Sequence, residues 1–129
     1  MPREIITPPN VHQPTGYSHA VRVGDTVYVA GQIALDPQGQ LVGVGDFAAQ
    51  AEQAFHNLQR VLEAAGSSLG HIVKLTTYLT RSEDVPRYRD IRARYLSTSP
   101  PASTLLVISA LARPEFLVEI EAIAVVAGS

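Results

Sequence analysis

The sequence predicts an α+β fold, a β-sheet with two helices packed on one of its faces. Two amphipathic helical segments alternate with short segments rich in β-branched residues, in the order β-β-α-β-α-β-β. The last β segment, residues 116–126, is largely apolar on both faces, which is typical of a sheet covered on both sides. Because two helices can cover only one face, we expect another copy of the chain to cover the face of Leu117, Ile123 and Val125.

Length and composition indicate one globular domain over residues 1–129. Hydrophobic residues make up 46% of the sequence and the net charge is only −2, which together exclude a disordered chain. This charge also gives no overall attraction to nucleic acid or to an anionic membrane. Without cysteine, the chain cannot form a disulfide framework, a thiolate metal site or a cysteine nucleophile. Because neither a signal-peptide pattern nor a long apolar run is present, we expect a cytoplasmic protein without a membrane partner.

The start of the chain predicts an extended lead-in followed by a hairpin. Residues 1–17 are rich in proline and turn-forming residues, without a clear strand or helix pattern. Residues 18–23 and 26–30 are β-rich segments on either side of Gly24-Asp25. A glycine between two such segments is typical of a tight hairpin, since glycine readily adopts the positive φ that the turn needs.

Residues 46–65 predict the clearest helix. Their apolar side chains recur at helical spacing, Asp46 is a suitable N-cap, and Gly66 is a suitable residue to follow the last turn. We expect the polar side chains to lie opposite the apolar stripe, on the outer face of the helix. These are Gln50, Gln53, Asn57 and Arg60.

The second half of the chain predicts a strand, a helix and two further strands. Residues 71–80 are dominated by β-branched residues, and residues 104–109 and 116–126 are predicted as two further strands. We expect Ser82 to cap the helix between them and Pro100 to follow its end. The apolar stripe of this helix is formed by Val85, Tyr88, Ile91 and Tyr95.

Glu119 and Glu121 are the strongest indication of chemistry. Two carboxylates two residues apart on a strand share one face, and these are flanked by apolar neighbours. Burial of such a carboxylate would raise its pKa towards the range useful for proton transfer. The alternative is that both face solvent at a sheet edge or pair with arginines across an interface, and the spacing alone favours this alternative.

Other motifs carry weaker signals. Residues 43–48 match the letters of a dinucleotide fingerprint, but a hairpin precedes them instead of a βαβ unit, so the glycines more simply shape the entry to the helix. The arginines within 81–94 alternate with acidic residues, which is typical of a solvated helix face, and we do not expect nucleic acid to bind there. Arg92 differs because it flanks the apolar stripe and could reach a buried anion. The four histidines show no spacing typical of metal ligands, so no metal or other cofactor is expected.

Several motifs, in order and at near-identical spacing, resemble the RidA/YjgF family, also described as L-PSP endoribonuclease-like. They include Val29-Ala30-Gly31-Gln32-Ile33, Leu62-Glu63-Ala64-Ala65-Gly66, Pro101-Ala102-Ser103 and the segment 118–125, and the resemblance extends from about residue 5 to residue 126. It implies a chorismate-mutase-like fold, a mixed sheet with two helices on one face, and a homotrimer with pockets between subunits. It also implies hydrolysis of enamines and imines derived from amino acids, to a 2-oxo acid and ammonia, without metal or cofactor.

The resemblance assigns roles to particular residues. Tyr17 would lie at the rim of the pocket, the backbone of Gly31 would line it, and Glu119 would orient the hydrolytic water. Where the family has an arginine that clamps the substrate carboxylate, this chain has Ser103. Three other pocket positions are Ala30 in place of a serine, Leu105 in place of a cysteine, and Arg89 in place of an asparagine.

We therefore hypothesise a cofactor-free hydrolase or deaminase of small reactive metabolites, with an altered substrate because Ser103 replaces the clamp. A guanidinium–carboxylate pair in a partly buried pocket contributes on the order of 2–4 kcal/mol to binding. Arg89 or Arg92 is an alternative holder of the carboxylate. The alternative function is a noncatalytic trimer that binds a ligand, RNA or another protein.

Overall fold

A computed structural model describes residues 1–96 and 98–127, and its elements follow the predicted order with one additional strand at the start. The elements are β1 (Arg3–Ile6), β2 (Ala20–Val23), β3 (Thr26–Gln32), α1 (Phe47–Ala64), β4 (Ile72–Leu79), α2 (Val85–Tyr95), β5 (Ala102–Val107) and β6 (Val118–Val125). In the described part of the chain, six strands form one sheet in the order β1-β2-β3-β6-β4-β5. The predicted α+β class, with a mixed sheet and two helices, is confirmed.

Strand β6 lies inside the sheet and is antiparallel to both of its neighbours, β3 and β4. Strands β4 and β5 are parallel, because α2 connects them and returns the chain to the same end of the sheet. Gln32, at the end of β3, pairs with Ile120 near the start of β6. The end of β3 and the start of β6 therefore lie side by side, whereas β6 and β4 separate β3 from β5.

The hairpin of β2 and β3 is confirmed, with Val23 paired to Thr26 across the turn. The lead-in contains a strand that the sequence did not predict, since β1 pairs with β2 from Arg3 opposite Val23 to Ile6 opposite Ala20. Only Ile6 of this strand is buried. A four-residue edge strand with one buried side chain has almost no alternating pattern, and its pairing depends on the partner strand.

The predicted ends of the first helix are confirmed, whereas the cap of the second is wrong. The Asp46 carboxylate accepts a hydrogen bond from the backbone N–H of Ala49 at 3.1 Å. Ser82 makes no capping hydrogen bond and lies instead in a short 3₁₀ turn, Ser82–Asp84, before α2. Asp84 is the residue directly before α2, and its carboxylate pairs with Arg81 Nε at 2.7 Å instead of capping the helix.

The expectation that the polar side of α1 lies on the outside is wrong for two residues. Gln50 and Asn57 are fully buried. The Gln50 amide donates to the carbonyls of Gly43 and Glu115, and Asn57 donates to the carbonyls of Ile33 and Leu35. The loops between β3 and α1 and before β6 cover this side of the helix, and the two amides satisfy backbone groups that the loops bury.

The core lies between the helices and one face of the sheet. Along β6 the side chains from Val118 to Ala124 alternate between buried and half-buried, and the half-buried set, which includes Ile123, faces away from the helices. This confirms that the helices leave one face of the sheet uncovered by the chain itself. The expectation for Leu117 is wrong, because it is 9% exposed and belongs to the chain's own core. It precedes β6, so the alternation of the strand does not extend to it.

Across residues 1–96 and 98–127, no helix combines the length and the apolar character that a membrane crossing requires. The same residues contain no cluster of three or more histidine or carboxylate side chains arranged to hold a metal ion.

Candidate functional site

A cavity of about 590 Å³, the main cavity, opens beside the end of β3, where three loops meet. One loop belongs to the lead-in before β2, one connects β3 to α1, and one connects β5 to β6. Four residues singled out in the sequence share this cavity. They are Tyr17, Ala30, Gly31 and Glu119.

An irregularity in the sheet creates room for the Glu119 carboxylate. Between Val29 and Gln32 the register with β6 shifts, since three steps along β3 correspond to only two along β6. Such a bulge redirects the backbone locally and often accompanies functional sites. Gly31 lies within it, and a Cβ at this position would overlap Oε2 of Glu119. Only glycine therefore leaves the space that the carboxylate occupies.

The two carboxylates of β6 have different surroundings. Glu119 accepts no hydrogen bond and makes no ion pair within the described residues, and it is half-buried at the cavity. Burial, and secondarily the negative charge of Glu121, raises the pKa of the Glu119 carboxyl above its usual range. Glu121 instead accepts a hydrogen bond from the Tyr78 hydroxyl at 2.6 Å. Of the pair identified in the sequence, Glu119 is thus the carboxylate available for proton transfer in the cavity.

Tyr17 lies across the mouth of the same cavity, with its hydroxyl 3.0 Å from Nε2 of His12. Burial, followed by the nearby Glu119 charge, raises the pKa of the Tyr17 phenol, so it remains protonated at neutral pH. Burial also lowers the pKa of His12, with further contributions from His19 and Arg113. A neutral His12 therefore faces a neutral Tyr17.

A buried hydrogen-bond network determines how these rings are held. His19 Nε2 lies 2.7 Å from the carbonyl oxygen of His12 and must donate to it. Because an amide nitrogen can only donate, His19 Nδ1 is the acceptor for the Gln32 amide at 3.2 Å, and Gln32 also donates to the Ala30 carbonyl at 3.1 Å. The network connects the lead-in loop to the bulge at the end of β3, so it positions Tyr17 relative to Glu119.

The hydrogen-bond partners of the His12 ring indicate where the Tyr17 hydroxyl proton points. Nδ1 of His12 is buried without a hydrogen-bond partner among the described residues. A buried N–H without a partner is rare in proteins, so we assign the His12 proton to Nε2, where it is donated to the Tyr17 oxygen. The Tyr17 O–H is then free to donate a hydrogen bond into the cavity.

Three further site residues predicted from the sequence lie elsewhere on the chain. Ser103 and Arg89 line a second cavity of about 390 Å³, and Leu105 packs against the core from β5. Arg92 also lines the second cavity, with Nη1 3.4 Å from the Ser103 hydroxyl and its guanidinium 5.5 Å from the centre of the Tyr88 ring. Because β4 separates β5 from β6 and the two residues line different cavities, one chain does not bring Ser103 to Glu119.

Sequence analysis missed the two other ionisable residues of the main cavity, His12 and Arg113. His12 lies in the proline-rich lead-in, where no periodic pattern gives its side chain a direction. The sequence weakly indicated Arg113, because it lies in the loop immediately before the strand that carries Glu119, and a basic residue there can reach the same site. Neither position belongs to the motifs that carried the family resemblance.

Comparison with known proteins identifies the class. The family model described as Endoribonuclease L-PSP matches residues 10–126. A 2-iminobutanoate/2-iminopropanoate deaminase of Mus musculus is 43% identical over 110 residues, which cover 84% of this chain and 80% of the relative. The fold, the cavity beside Glu119 and these matches together define a RidA-type protein. The chain belongs to the RidA/YjgF family, as its motifs suggested.

Solved structures agree with this assignment. A Rid-family protein of unknown function from Yersinia pestis, YyfA, superposes with a TM-score of 0.90 at 34% identity, covering 97% of this chain and 100% of the other. TdcF of E. coli, whose crystal structure contains bound serine, gives a TM-score of 0.85 at 28% identity, covering 95% and 98%.

Proposed function

We propose that this protein is a cofactor-free hydrolase that converts reactive imines and enamines into carbonyl compounds and ammonia. The proposal depends chiefly on Glu119, a half-buried carboxylate that faces a cavity shared with Tyr17. A carboxylate with a raised pKa is suited to accept a proton from water near neutral pH. The deaminase name of the mouse relative supports the same type of reaction.

In the proposed reaction, Glu119 accepts a proton from water while the water oxygen forms a bond to the imine carbon. Glu119 passes this proton to the imine nitrogen, which gives a carbinolamine. The C–N bond then breaks with its electron pair leaving on nitrogen, while Glu119 accepts the hydroxyl proton as the carbonyl forms and passes it to the departing nitrogen. The products are a carbonyl compound and ammonia, and Glu119 is again a carboxylate. Tyr17 donates a hydrogen bond that orients the substrate.

We further propose that the site is completed in a homotrimer, at the interface between subunits. Two observations support this. First, the face of the sheet opposite the helices exposes apolar surface, including Tyr28 at 50% exposure. Second, the site residues predicted from the sequence are divided between two cavities of one chain. In the assembly, Ser103, Leu105 and Arg89 of a neighbouring copy would approach the cavity of Glu119. The ligand is a small molecule.

The substrate is expected to differ from the short 2-imino acids in the mouse relative's name, because Ser103 cannot hold a carboxylate at the position of the family's clamp and another cation would have to hold it elsewhere. Ser103 offers a hydroxyl where the family's motif has a guanidinium, and a hydroxyl cannot form the paired, charge-assisted hydrogen bonds that an arginine makes to a carboxylate.

The test is a screen of imines generated in solution from several amino acids, with ammonia release as the measurement. The wild-type protein should accelerate hydrolysis, and Glu119→Gln should reduce kcat/KM by roughly 100-fold or more. Glu121→Gln is the matched control, because Glu121 bonds to Tyr78 outside the cavity, and it should retain activity of the same order.

The pH dependence provides a second check. Because Glu119 acts as a base, activity should be lost as the pH falls through its pKa, and this loss should occur above pH 4.5, the ordinary value for glutamate. Absence of hydrolysis with every imine, or full activity in Glu119→Gln, would contradict the proposal and favour a noncatalytic protein that binds a ligand, RNA or another protein.

A further inference from the structure

The main cavity is lined by a cationic side chain, Arg113, that has no role in the reaction described above. Among the described residues, Arg113 is the one lysine or arginine that lines this cavity, and it shares the cavity with Glu119 and Tyr17. It belongs to the loop between β5 and β6, at a position that corresponds to no motif of the family resemblance.

The surroundings of Arg113 hold its guanidinium in place but leave hydrogen-bond donors free. Its Cζ lies 4.8 Å from the centre of the Phe116 ring, which also lines the cavity, and its carbonyl accepts a hydrogen bond from the Phe116 N–H at 3.1 Å. Its ion pair with Glu115 is long, at 3.8 Å, and both side chains are well exposed. Such pairs contribute little, so the guanidinium can exchange this contact for a ligand.

The charged side chains that line the cavity determine which ligands it binds favourably. Glu119 alone would repel an anionic substrate, and this repulsion is strong in a partly buried site. A guanidinium in the same cavity offsets the repulsion and can bind a carboxylate through two parallel hydrogen bonds. We propose that Arg113 is the residue that selects carboxylate-bearing imines in this protein, performing from the β5–β6 loop the task that Ser103 cannot perform. This proposal rests on the hydrolase function proposed above.

Arg92 is the main competitor for this role. Unlike Arg113, it has no carboxylate partner among the described residues, and its guanidinium donates a hydrogen bond to Ser103. However, it lines the second cavity, so it would approach Glu119 only from a neighbouring copy in the proposed trimer, whereas Arg113 lines the main cavity within the same chain. The observations therefore favour Arg113, and Arg92 provides the decisive comparison.

The experiment compares two imines that differ only in a carboxylate, one generated from phenylalanine by an amino-acid oxidase and one from phenethylamine by an amine oxidase. Arg113→Ala should lower kcat/KM for the phenylalanine imine about tenfold or more, mainly through KM, and affect the phenethylamine imine far less. Arg92→Ala should show no such selectivity. Arg87→Ala is the matched control, because Arg87 is an exposed arginine of α2 that lines neither cavity.

Equilibrium binding keeps this test independent of catalysis. By calorimetry, the wild-type protein should bind phenylpyruvate more tightly than the neutral ketone phenylacetone, and Arg113→Ala should remove the difference. If neither imine is hydrolysed but this difference depends on Arg113, the hydrolase proposal fails while the role of Arg113 as the anion-binding residue stands. An equal loss for both imines in Arg113→Ala would overturn the proposal, as would a carboxylate-selective loss that appears in Arg92→Ala instead.

Discussion

At the scale of single residues, the site depends on the absence of a side chain at Gly31. The Glu119 carboxylate occupies the space where any residue other than glycine at position 31 would place its Cβ. The bulge beside it turns the end of β3 so that this space opens into the cavity that Tyr17 also lines. Glycine is thus required by a close approach to a functional group, independently of any turn.

Gly31→Ala should displace the Glu119 carboxylate and lower kcat/KM about 100-fold, because a misplacement of about 1 Å in a catalytic group has an effect of that order. Imine hydrolysis by the purified variant measures this. Gly70→Ala is the control, since a Cβ at Gly70 meets nothing closer than the Ser68 hydroxyl at 3.9 Å. Full activity in Gly31→Ala would show that the position of this carboxylate does not matter for the reaction.

At the scale of elements, helix α1 positions loops as well as forming the core. Gln50 is the clearest case, because its amide donates to the carbonyls of Gly43 and Glu115 and its oxygen accepts from the Leu117 N–H at 2.9 Å. The segment that carries Glu115 and Leu117 also carries Arg113. One buried side chain on the helix therefore holds the loop that forms one wall of the cavity.

Gln50→Leu should destabilise the protein by about 2–4 kcal/mol, because it preserves the approximate size of the side chain but removes three hydrogen bonds to the loops and leaves the buried N–H of Leu117 without this acceptor. Chemical denaturation gives this value. Gln59→Leu, on the same helix, loses only an exposed contact with Glu63 and should change stability by well under 1 kcal/mol. Equal effects of the two substitutions would mean that Gln50 does not hold the loop.

At the scale of the whole molecule, the uncovered face of the sheet is the main feature. The half-buried side of β6 combines Glu119 and Glu121 near its start with Ile123 and Val125 near its end. Tyr28 and Ile123 pair across β3 and β6 and line a shallow pocket on this face. Apolar surface of this kind on a small chain is typical of a subunit interface.

The assembly should have a mass near three times 13.9 kDa by sedimentation at micromolar concentration. Ile123→Glu should dissociate it, because a charge would be buried in the interface without a partner. Val44→Glu is the control, since Val44 is 77% exposed in the loop before α1, and this variant should keep the wild-type mass. A stable wild-type monomer would contradict both the trimer and a site between subunits.

The sequence by itself determined the elements of the fold and one essential part of the site. The alternation of β6, the helical spacing of α1 and the capping residue Asp46 are local patterns, and neighbouring residues along the chain are sufficient to define them. The same alternation placed Glu119 on the face away from the helices, and the family motifs brought Tyr17 and Gly31 together with it. The weak strand β1 was missed because a short edge strand has too little local pattern.

Only the tertiary structure decided which side chains share the cavity. It separated Glu119 from Glu121 by giving Glu121 a partner in Tyr78, and it buried Gln50 under loops that local periodicity cannot detect. It also placed Arg113 in the same cavity as Glu119, and Ser103 in another cavity. The physical reason is that a strand or a helix follows from the repeat of neighbouring side chains, whereas a cavity forms where loops from distant parts of the chain meet, and their meeting depends on the packing of the whole sheet.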